Sequence, residues 1–160
     1  MSLRPFLSLI YYRIIKLKLF RRYFLLVYWY KSNRNFGDGL NKIILEKISG
    51  KKILFVNPKN FKFQHFLAIG SILSYANENS LIWGSGLISK NITLSQKPKK
   101  IFAVRGPLTR KELVNQGIDC PKVYGDPGLL IPKYHNPSFK KEFEIGIIPH
   151  YVDKDNLYLD

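Results

Sequence analysis

The residues best suited to chemistry lie in a glycine-bearing turn between the first apolar run and the first helical stretch. This segment has the sequence Asn35-Phe36-Gly37-Asp38-Gly39-Leu40-Asn41. In parallel α/β sheets, ligands bind beyond the carboxyl ends of strands, where glycines let the backbone approach and a helix start offers free N–H groups to an anion. Asp38 is a candidate catalytic base or acceptor for a sugar hydroxyl, and helix capping is the alternative. Asn35 and Gly37 are candidate binding residues, although asparagine is also common in simple turns.

Three more turns of this kind follow strand-like runs. Each contains a glycine, and they have the sequences Ala68-Ile69-Gly70-Ser71, Trp83-Gly84-Ser85-Gly86 and Val104-Arg105-Gly106-Pro107. A single glycine after a strand is usually only turn chemistry. Their repetition predicts that several loops share one ligand-bearing edge of a sheet. The candidate substrate-binding residues in the first two turns are therefore Gly70, Ser71, Gly84 and Ser85.

Two arginines are candidates for holding an anion. Arg105 is expected at the end of an apolar strand, where its guanidinium fork can bind a carboxylate or phosphate through two hydrogen bonds. A structural ion pair explains Arg105 equally well. Arg110 follows about one helical turn later as a second candidate, and a solvated helix residue is the alternative there.

His150 is a candidate general acid or base because it follows the last apolar run, Gly146-Ile147-Ile148-Pro149. A structural role is the alternative for a lone histidine. His65 and His135 lie in loop-like sequence, with no spacing that indicates a site.

Strand-like and helical segments alternate along the chain, which predicts an α/β fold with a parallel sheet. The predicted helices are Gly39 to Ser49 and Pro107 to Gln116, the second with proline at its start and Gly117 just past its end. The predicted strands are Tyr23 to Tyr30, Lys52 to Val56, Leu67 to Ser71, Leu81 to Gly84, Ile101 to Val104, Lys122 to Tyr124 and Glu144 to Ile148.

The net charge of +15 suggests an anionic partner such as nucleic acid, lipid headgroups or a phosphorylated substrate. Pro5 to Phe20 has an imperfect amphipathic helical pattern, which fits a helix on an anionic membrane or one packed on its own domain. No aromatic-interleaved recognition motif accompanies the basic residues, so nucleic acid is not the expected partner. The basic residues that precede the first acidic residue are Arg4, Arg13, Lys16, Lys18, Arg21, Arg22, Lys31 and Arg34.

Cys120 is the single cysteine, which excludes an internal disulfide and a thiolate zinc site and fits a reducing cytoplasm. No segment reaches the roughly 20 apolar residues that span a bilayer. Basic residues are threaded through Leu9 to Arg22, unlike the order of a signal peptide. We therefore expect a cytoplasmic protein, with peripheral contact of the basic arm at the inner face of the membrane left open.

Six short blocks, taken in order, resemble the polysaccharide pyruvyltransferase family, and most closely its exopolysaccharide and lipopolysaccharide branch. Four are the turns around Asn35, Gly70, Gly84 and Arg105. The other two are Gly125-Asp126-Pro127-Gly128-Leu129-Leu130 and Gly146-Ile147-Ile148-Pro149-His150-Tyr151. The resemblance runs from about Tyr28 to Asp153.

The resemblance implies a Rossmann-like sheet that forms the N-terminal lobe of a two-lobed, glycosyltransferase-B-like fold. Residues 1–22 are then a basic arm, 23–135 the lobe, and 136–160 a linker and the first strand of a truncated second lobe. The implied enzyme transfers a pyruvyl unit from phosphoenolpyruvate to a sugar of a bacterial surface polysaccharide or lipopolysaccharide. It requires no metal or nucleotide cofactor.

The implied partners are phosphoenolpyruvate, a glycan or lipid-linked sugar acceptor, and the C-terminal lobe into which relatives continue. One alternative is a glycosyltransferase that uses a nucleotide-sugar, because one fold serves many chemistries. Another is a non-catalytic remnant that binds an anion or nucleic acid.

Overall fold

The computed structural model describes residues 18–31 and 36–147 of the chain. Within these residues, the strands are β1 (Phe24–Tyr28), β2 (Lys52–Phe55), β3 (His65–Leu67), β4 (Ser80–Trp83) and β5 (Lys100–Ala103). The α-helices are α1 (Lys18–Tyr23), α2 (Phe36–Ser49), α3 (Pro107–Asn115) and α4 (Ile131–Tyr134). Short 3-10 helices cover Pro58–Asn60, Leu73–Tyr75 and Pro127–Leu130.

The five strands form one sheet in the order β2-β1-β3-β4-β5, and every neighbouring pair is parallel. Their carboxyl ends therefore lie at the same edge. The chain builds outward from β1 to β2, then crosses to the other side of β1 for the remaining strands. In sheets of this order, the reversal between β1 and β3 opens a crevice at the carboxyl edge where ligands bind. The predicted α/β class with a parallel sheet is confirmed.

Helices cover both faces of the sheet. Leu45 of α2 packs in a buried cluster with Val27. Leu113 of α3 belongs to a second buried cluster that contains Tyr28 and Ile82. Val27 and Tyr28 are adjacent in β1, and successive strand residues point to opposite faces. The two clusters are therefore the hydrophobic cores on the two sides of the sheet.

Most predicted strands are present with shifted ends. β3 differs most, because it ends at Leu67, where the predicted strand begins. The next residues leave the sheet: the Ile69 N–H bonds the Asn41 side chain, and Gly70 has a φ of 114°. The predictions confirmed with ends moved by a residue or two are Tyr23 to Tyr30, Lys52 to Val56, Leu81 to Gly84 and Ile101 to Val104.

Two predicted strands differ more. The prediction at Lys122 to Tyr124 reduces to a single parallel bridge between Val104 and Tyr124, which extends the sheet beyond β5. The prediction at Glu144 to Ile148 is wrong over its described residues, 144–147, which form no strand. The side chain of Ile145 is 78% exposed, so no core covers this segment.

Both predicted helices are confirmed. α2 begins at Phe36 rather than Gly39 and ends at Ser49 as predicted. α3 begins at Pro107 as predicted and ends at Asn115. The amphipathic segment Pro5 to Phe20 lies mainly outside the described residues, and α1 covers its end and continues to Tyr23. No helix in the described part of the chain is long and apolar enough to cross a bilayer.

Candidate functional site

Three of the four predicted turns leave the carboxyl edge of the sheet. Gly70 follows β3, Gly84 follows β4 and Arg105 follows β5. Backbone hydrogen bonds join these turns to one another: the Gly86 N–H donates to the Gly70 carbonyl at 3.0 Å, and the Arg105 N–H donates to the Ser85 carbonyl at 3.2 Å. The loops therefore form one connected layer. The fourth predicted residue, Asn35, lies outside the described residues.

Arg105 is held in place by groups from two other loops. Its Nη1 donates to the Ser71 Oγ at 2.7 Å, and its Nη2 donates to the Leu87 carbonyl at 3.1 Å. The guanidinium lies against Gly86, where a Cβ atom would be 2.7 Å from both Cζ and Nε of Arg105. A guanidinium has five N–H groups, so the remaining ones are available to a ligand. Arg105 is thus an exposed cation with a fixed orientation.

Arg105 lines a cavity of about 440 Å³, which we call the switch-point cavity. Gly37 and Leu40, which follow β1, and Ile69, which follows β3, form its other side. The cavity therefore lies at the reversal of strand order, where this fold class binds ligands. The remaining lining residues come from a single turn and are Gly125, Asp126, Gly128 and Leu129.

Asp38 lies in the first turn of α2 and is only 7% exposed. Its Oδ1 is 2.9 Å from the position that a Cβ atom would take at Gly70. Burial raises the pKa of this carboxyl above its usual value, because desolvation disfavours the charged form. Nearby, burial also raises the pKa of Tyr28 to about 12, with Tyr75 contributing. Asp38 therefore sits in a poorly hydrated environment that favours its protonated form.

Asn41 fixes the start of α2 to the loop after β3. The sequence placed it within the first candidate segment but assigned it no role of its own. Its Nδ2 donates to the carbonyls of Asp38 at 3.1 Å and Ile69 at 3.0 Å. Its Oδ1 accepts the Ile69 N–H at 2.9 Å. Asn41 is fully buried. The available signal was an amide one helical turn after Asp38, on the side of α2 that must face the sheet.

The turn at Gly125 to Gly128 also belongs to the site. In the sequence, this turn contributes to the family resemblance, but none of its residues is a candidate binding residue. Asp126 Oδ1 accepts the Gly128 N–H at 2.9 Å, which shapes the turn. Gly84 has a φ of 91°, and a Cβ atom there would lie 2.3 Å from Pro127 Cδ. This contact seats the turn against the end of β4. Gly84 and Ser85 are thus supporting residues that do not line the cavity.

Ser85 and Ser71 have supporting contacts of their own. The Ser85 Oγ donates to the Gly70 carbonyl at 3.1 Å. The Ser71 Oγ accepts from Arg105, as described above. Both hydroxyls therefore hold the loop layer around the cavity.

Arg110 is not brought to the cavity. Its Nε donates to the Cys120 carbonyl at 2.9 Å, and it is absent from the cavity wall. This contact ties α3 to the loop that leads to the Val104–Tyr124 bridge. Cys120 is buried as a packing residue, and burial raises the pKa of its thiol.

Neither described histidine, His65 or His135, lines the switch-point cavity. His150 lies outside the described residues, and His135 is exposed. His65 is fully buried at the start of β3, rather than in the loop that its sequence suggested. One ring nitrogen lies 2.8 Å from the Phe63 carbonyl and the other 3.0 Å from the Ser80 Oγ. Burial lowers the pKa of this imidazole, which favours its neutral form.

Comparison with known proteins gives one informative similarity. The chain is 33% identical over 132 residues to an uncharacterized protein of Acanthamoeba polyphaga mimivirus. The alignment covers 80% of this chain and 46% of that protein, so the chain spans about half the length of the curated relative it matches. No family model and no solved structure matches the chain.

Proposed function

We propose that this chain is the N-terminal, Rossmann-like lobe of a polysaccharide pyruvyltransferase with a glycosyltransferase-B-like fold. The enzyme transfers a pyruvyl unit from phosphoenolpyruvate to hydroxyls of a sugar in a surface polysaccharide or lipopolysaccharide. One observation carries the proposal. The Arg105 guanidinium is fixed by Ser71 and Leu87 at a cavity that also borders the start of α2.

The switch-point cavity has one fixed cation, Arg105, which can pair with the phosphate or carboxylate of phosphoenolpyruvate, and one acid, Asp126, whose Oδ1 accepts the Gly128 N–H. A guanidinium binds phosphate or carboxylate through paired, charge-assisted hydrogen bonds. The start of α2 adds the positive end of a helix dipole, although Asp38 also lies in this first turn. Gly37, Gly125 and Gly128 present backbone without side chains to the cavity. Its volume of about 440 Å³ is within the usual range for small-ligand sites.

The proposed reaction adds sugar oxygens to C2 of phosphoenolpyruvate. One hydroxyl loses its proton and bonds to C2 while C3 takes up a proton and becomes a methyl group. Phosphate then leaves C2 with the electron pair of its C–O bond, and a second hydroxyl, losing its own proton, completes the ketal. Arg105 offsets negative charge on the phosphate. Asp38 does not line the cavity but follows Gly37, which does, and it remains the candidate acid or base; burial raises its pKa above the usual value.

The proposal includes a second lobe that completes the cleft, either attached to this lobe or on another polypeptide. A ligand bound at an open cavity stays exposed to water, where ion pairs contribute little. The mimivirus relative supports this part, since the aligned region is 46% of its length. Further candidate groups, His150 among them, act from outside the described residues. The basic arm would place the enzyme on an anionic membrane, near a lipid-linked acceptor.

Titration of phosphoenolpyruvate by calorimetry tests the proposal. We compare the wild type with Arg105→Ala and with Lys111→Ala, which removes the same charge from an exposed position on α3. Arg105→Ala should weaken binding about tenfold or more, as expected for loss of a charge-assisted contact. Lys111→Ala should bind like the wild type. Equal binding by all three proteins would exclude Arg105 from the donor site.

Turnover and donor choice supply the second arm of the test. The chain alone should show little pyruvyl transfer, and adding a C-terminal lobe should restore it. Robust turnover by the chain alone would contradict the two-lobed proposal. Binding of a nucleotide-sugar in preference to phosphoenolpyruvate would favour the glycosyltransferase alternative.

A further inference from the structure

A second cavity, of about 580 Å³, lies between the connections that lead into β3 and β4. We call it the crossover cavity. Residues 58–62 form one wall, residues 74–79 form the other, and residues 95–96 close one end. None of these residues lines the switch-point cavity. Its volume is that of an ordinary small-ligand site.

Asn77 holds the two walls of the crossover cavity together. Its Nδ2 donates across the cavity floor to the carbonyls of Pro58 at 2.8 Å and Phe61 at 3.2 Å. Its Oδ1 accepts the Asn79 N–H at 2.8 Å. The Glu78 N–H donates to the Gln96 Oε1 at 3.2 Å, which fixes the closed end. The cavity is therefore preorganised, so a ligand would not have to order its walls.

The polar side chains on the rim of this cavity are available to a ligand. Asn60, Ser74, Asn79 and Ser95 line the cavity, and their side chains make no hydrogen bond to other described residues. Amides and hydroxyls both donate and accept hydrogen bonds. Sugar hydroxyls also do both, so several such groups around one cavity match a carbohydrate better than they match a simple anion.

The remaining lining residues add an apolar surface and a charge. Tyr75 is 47% exposed and offers an aromatic ring against which the C–H face of a sugar can pack. Lys59 and Lys62 line the cavity with a single acid, Glu78. The surplus positive charge favours a sugar that carries a carboxylate.

We propose that the crossover cavity is a binding site for an acidic oligosaccharide, separate from the switch-point cavity. This site does not depend on the proposed transfer reaction, because none of its lining residues lines the switch-point cavity. It binds a hydroxyl-rich chain through Asn60 and Asn79, and it selects uronic acids over neutral sugars through Lys59 and Lys62.

The test is an NMR titration of the 15N-labelled chain with trigalacturonic acid and, separately, with maltotriose. Backbone amide shifts should centre on residues 58–62 and 74–79, with the acidic trisaccharide binding several-fold more tightly. The Asn60→Ala/Asn79→Ala double variant should weaken both ligands about thirtyfold, as expected for two lost hydrogen bonds of about 1 kcal/mol each. Asn115→Ala, at the exposed end of α3, is the matched control.

Variants at the lysines separate sugar recognition from simple charge. Lys59→Ala/Lys62→Ala should remove the preference for trigalacturonic acid and leave maltotriose binding unchanged. Shifts confined to the switch-point cavity, unchanged affinity in the asparagine double variant, or equal binding of inorganic polyphosphate would overturn the proposal. Shifts in the wild type decide the location even if a variant fails to fold.

Discussion

Gly86→Ala offers a test of the Arg105 geometry that leaves Arg105 itself unchanged. A Cβ atom at residue 86 would lie 2.7 Å from Cζ and Nε of Arg105 and 2.8 Å from Nη2. Gly86 is not among the glycines with positive φ, so its backbone accepts alanine without strain. The guanidinium must therefore move by roughly 0.7 Å to reach ordinary contact at 3.4 Å. Such a shift disrupts the short contacts to Ser71 and Leu87.

The expected cost follows from these two hydrogen bonds. A typical protein hydrogen bond contributes about 1 kcal/mol net, so losing both lowers the free energy of unfolding by about 2 kcal/mol. Misorientation of the Arg105 guanidinium should also weaken phosphoenolpyruvate binding about tenfold. Urea unfolding and calorimetric titration measure the two effects. Gly106→Ala is the control, since its Cβ atom would meet no heavy atom within 4 Å and its φ of −165° is ordinary extended backbone.

A double-mutant cycle with Arg105→Ala tests the stated cause. Once the guanidinium is removed, an added Cβ at residue 86 has little to displace, so Gly86→Ala should cost much less in that background. If Gly86→Ala costs the same free energy of unfolding in both backgrounds, its effect does not pass through Arg105. Our reasoning about the contact would then be refuted.

Three further predictions follow from other parts of the chain. Gly84→Ala should lower the free energy of unfolding, measured in urea, by about 2–4 kcal/mol. The residue has a φ of 91°, and a Cβ atom there would lie 2.3 Å from Pro127 Cδ. A variant as stable as the wild type would contradict this prediction. Burial lowers the pKa of His65, so its contribution to stability is full above pH 6.5 and is lost as pH falls towards the folded-state pKa. The dependence of the unfolding free energy on pH should persist in His135→Gln and shrink in His65→Gln. Sedimentation with anionic liposomes should fall when basic residues of the arm are neutralised, and unchanged binding would exclude the membrane role; the residues are Arg13, Lys16, Lys18, Arg21 and Arg22.

The sheet could be predicted from the sequence because its central strands, β1, β3 and β4, are largely buried and read as apolar runs. The same property blurred the strand ends. Leu67-Ala68-Ile69 is uniformly apolar and buried, yet only Leu67 belongs to β3. What ends the strand is Asn41, distant in sequence, whose amide takes the hydrogen bonds of Ile69. The apolar run at Ile145 to Ile148 misled for the opposite reason. It has the composition of a strand, yet its described residues, 145–147, are exposed and form no strand.

The candidate site shows a similar division between residue types and their contacts. Glycines after strands and a following arginine were enough to predict that several loops share one edge. Their roles could not be assigned from the sequence, because a role depends on which atoms meet across the edge. Arg105 and Arg110 are both candidate anion-binding residues in the sequence. In the structure, the Arg105 guanidinium lies over Gly86 and lines a cavity, whereas Arg110 donates to the Cys120 carbonyl. The glycines differ in the same way: Gly84 makes room for Pro127 and Gly70 for Asp38. The sequence pattern therefore located the carboxyl edge of the sheet. Only the contacts between loops that follow different strands distinguish a residue that can touch a ligand from one that supports its neighbour.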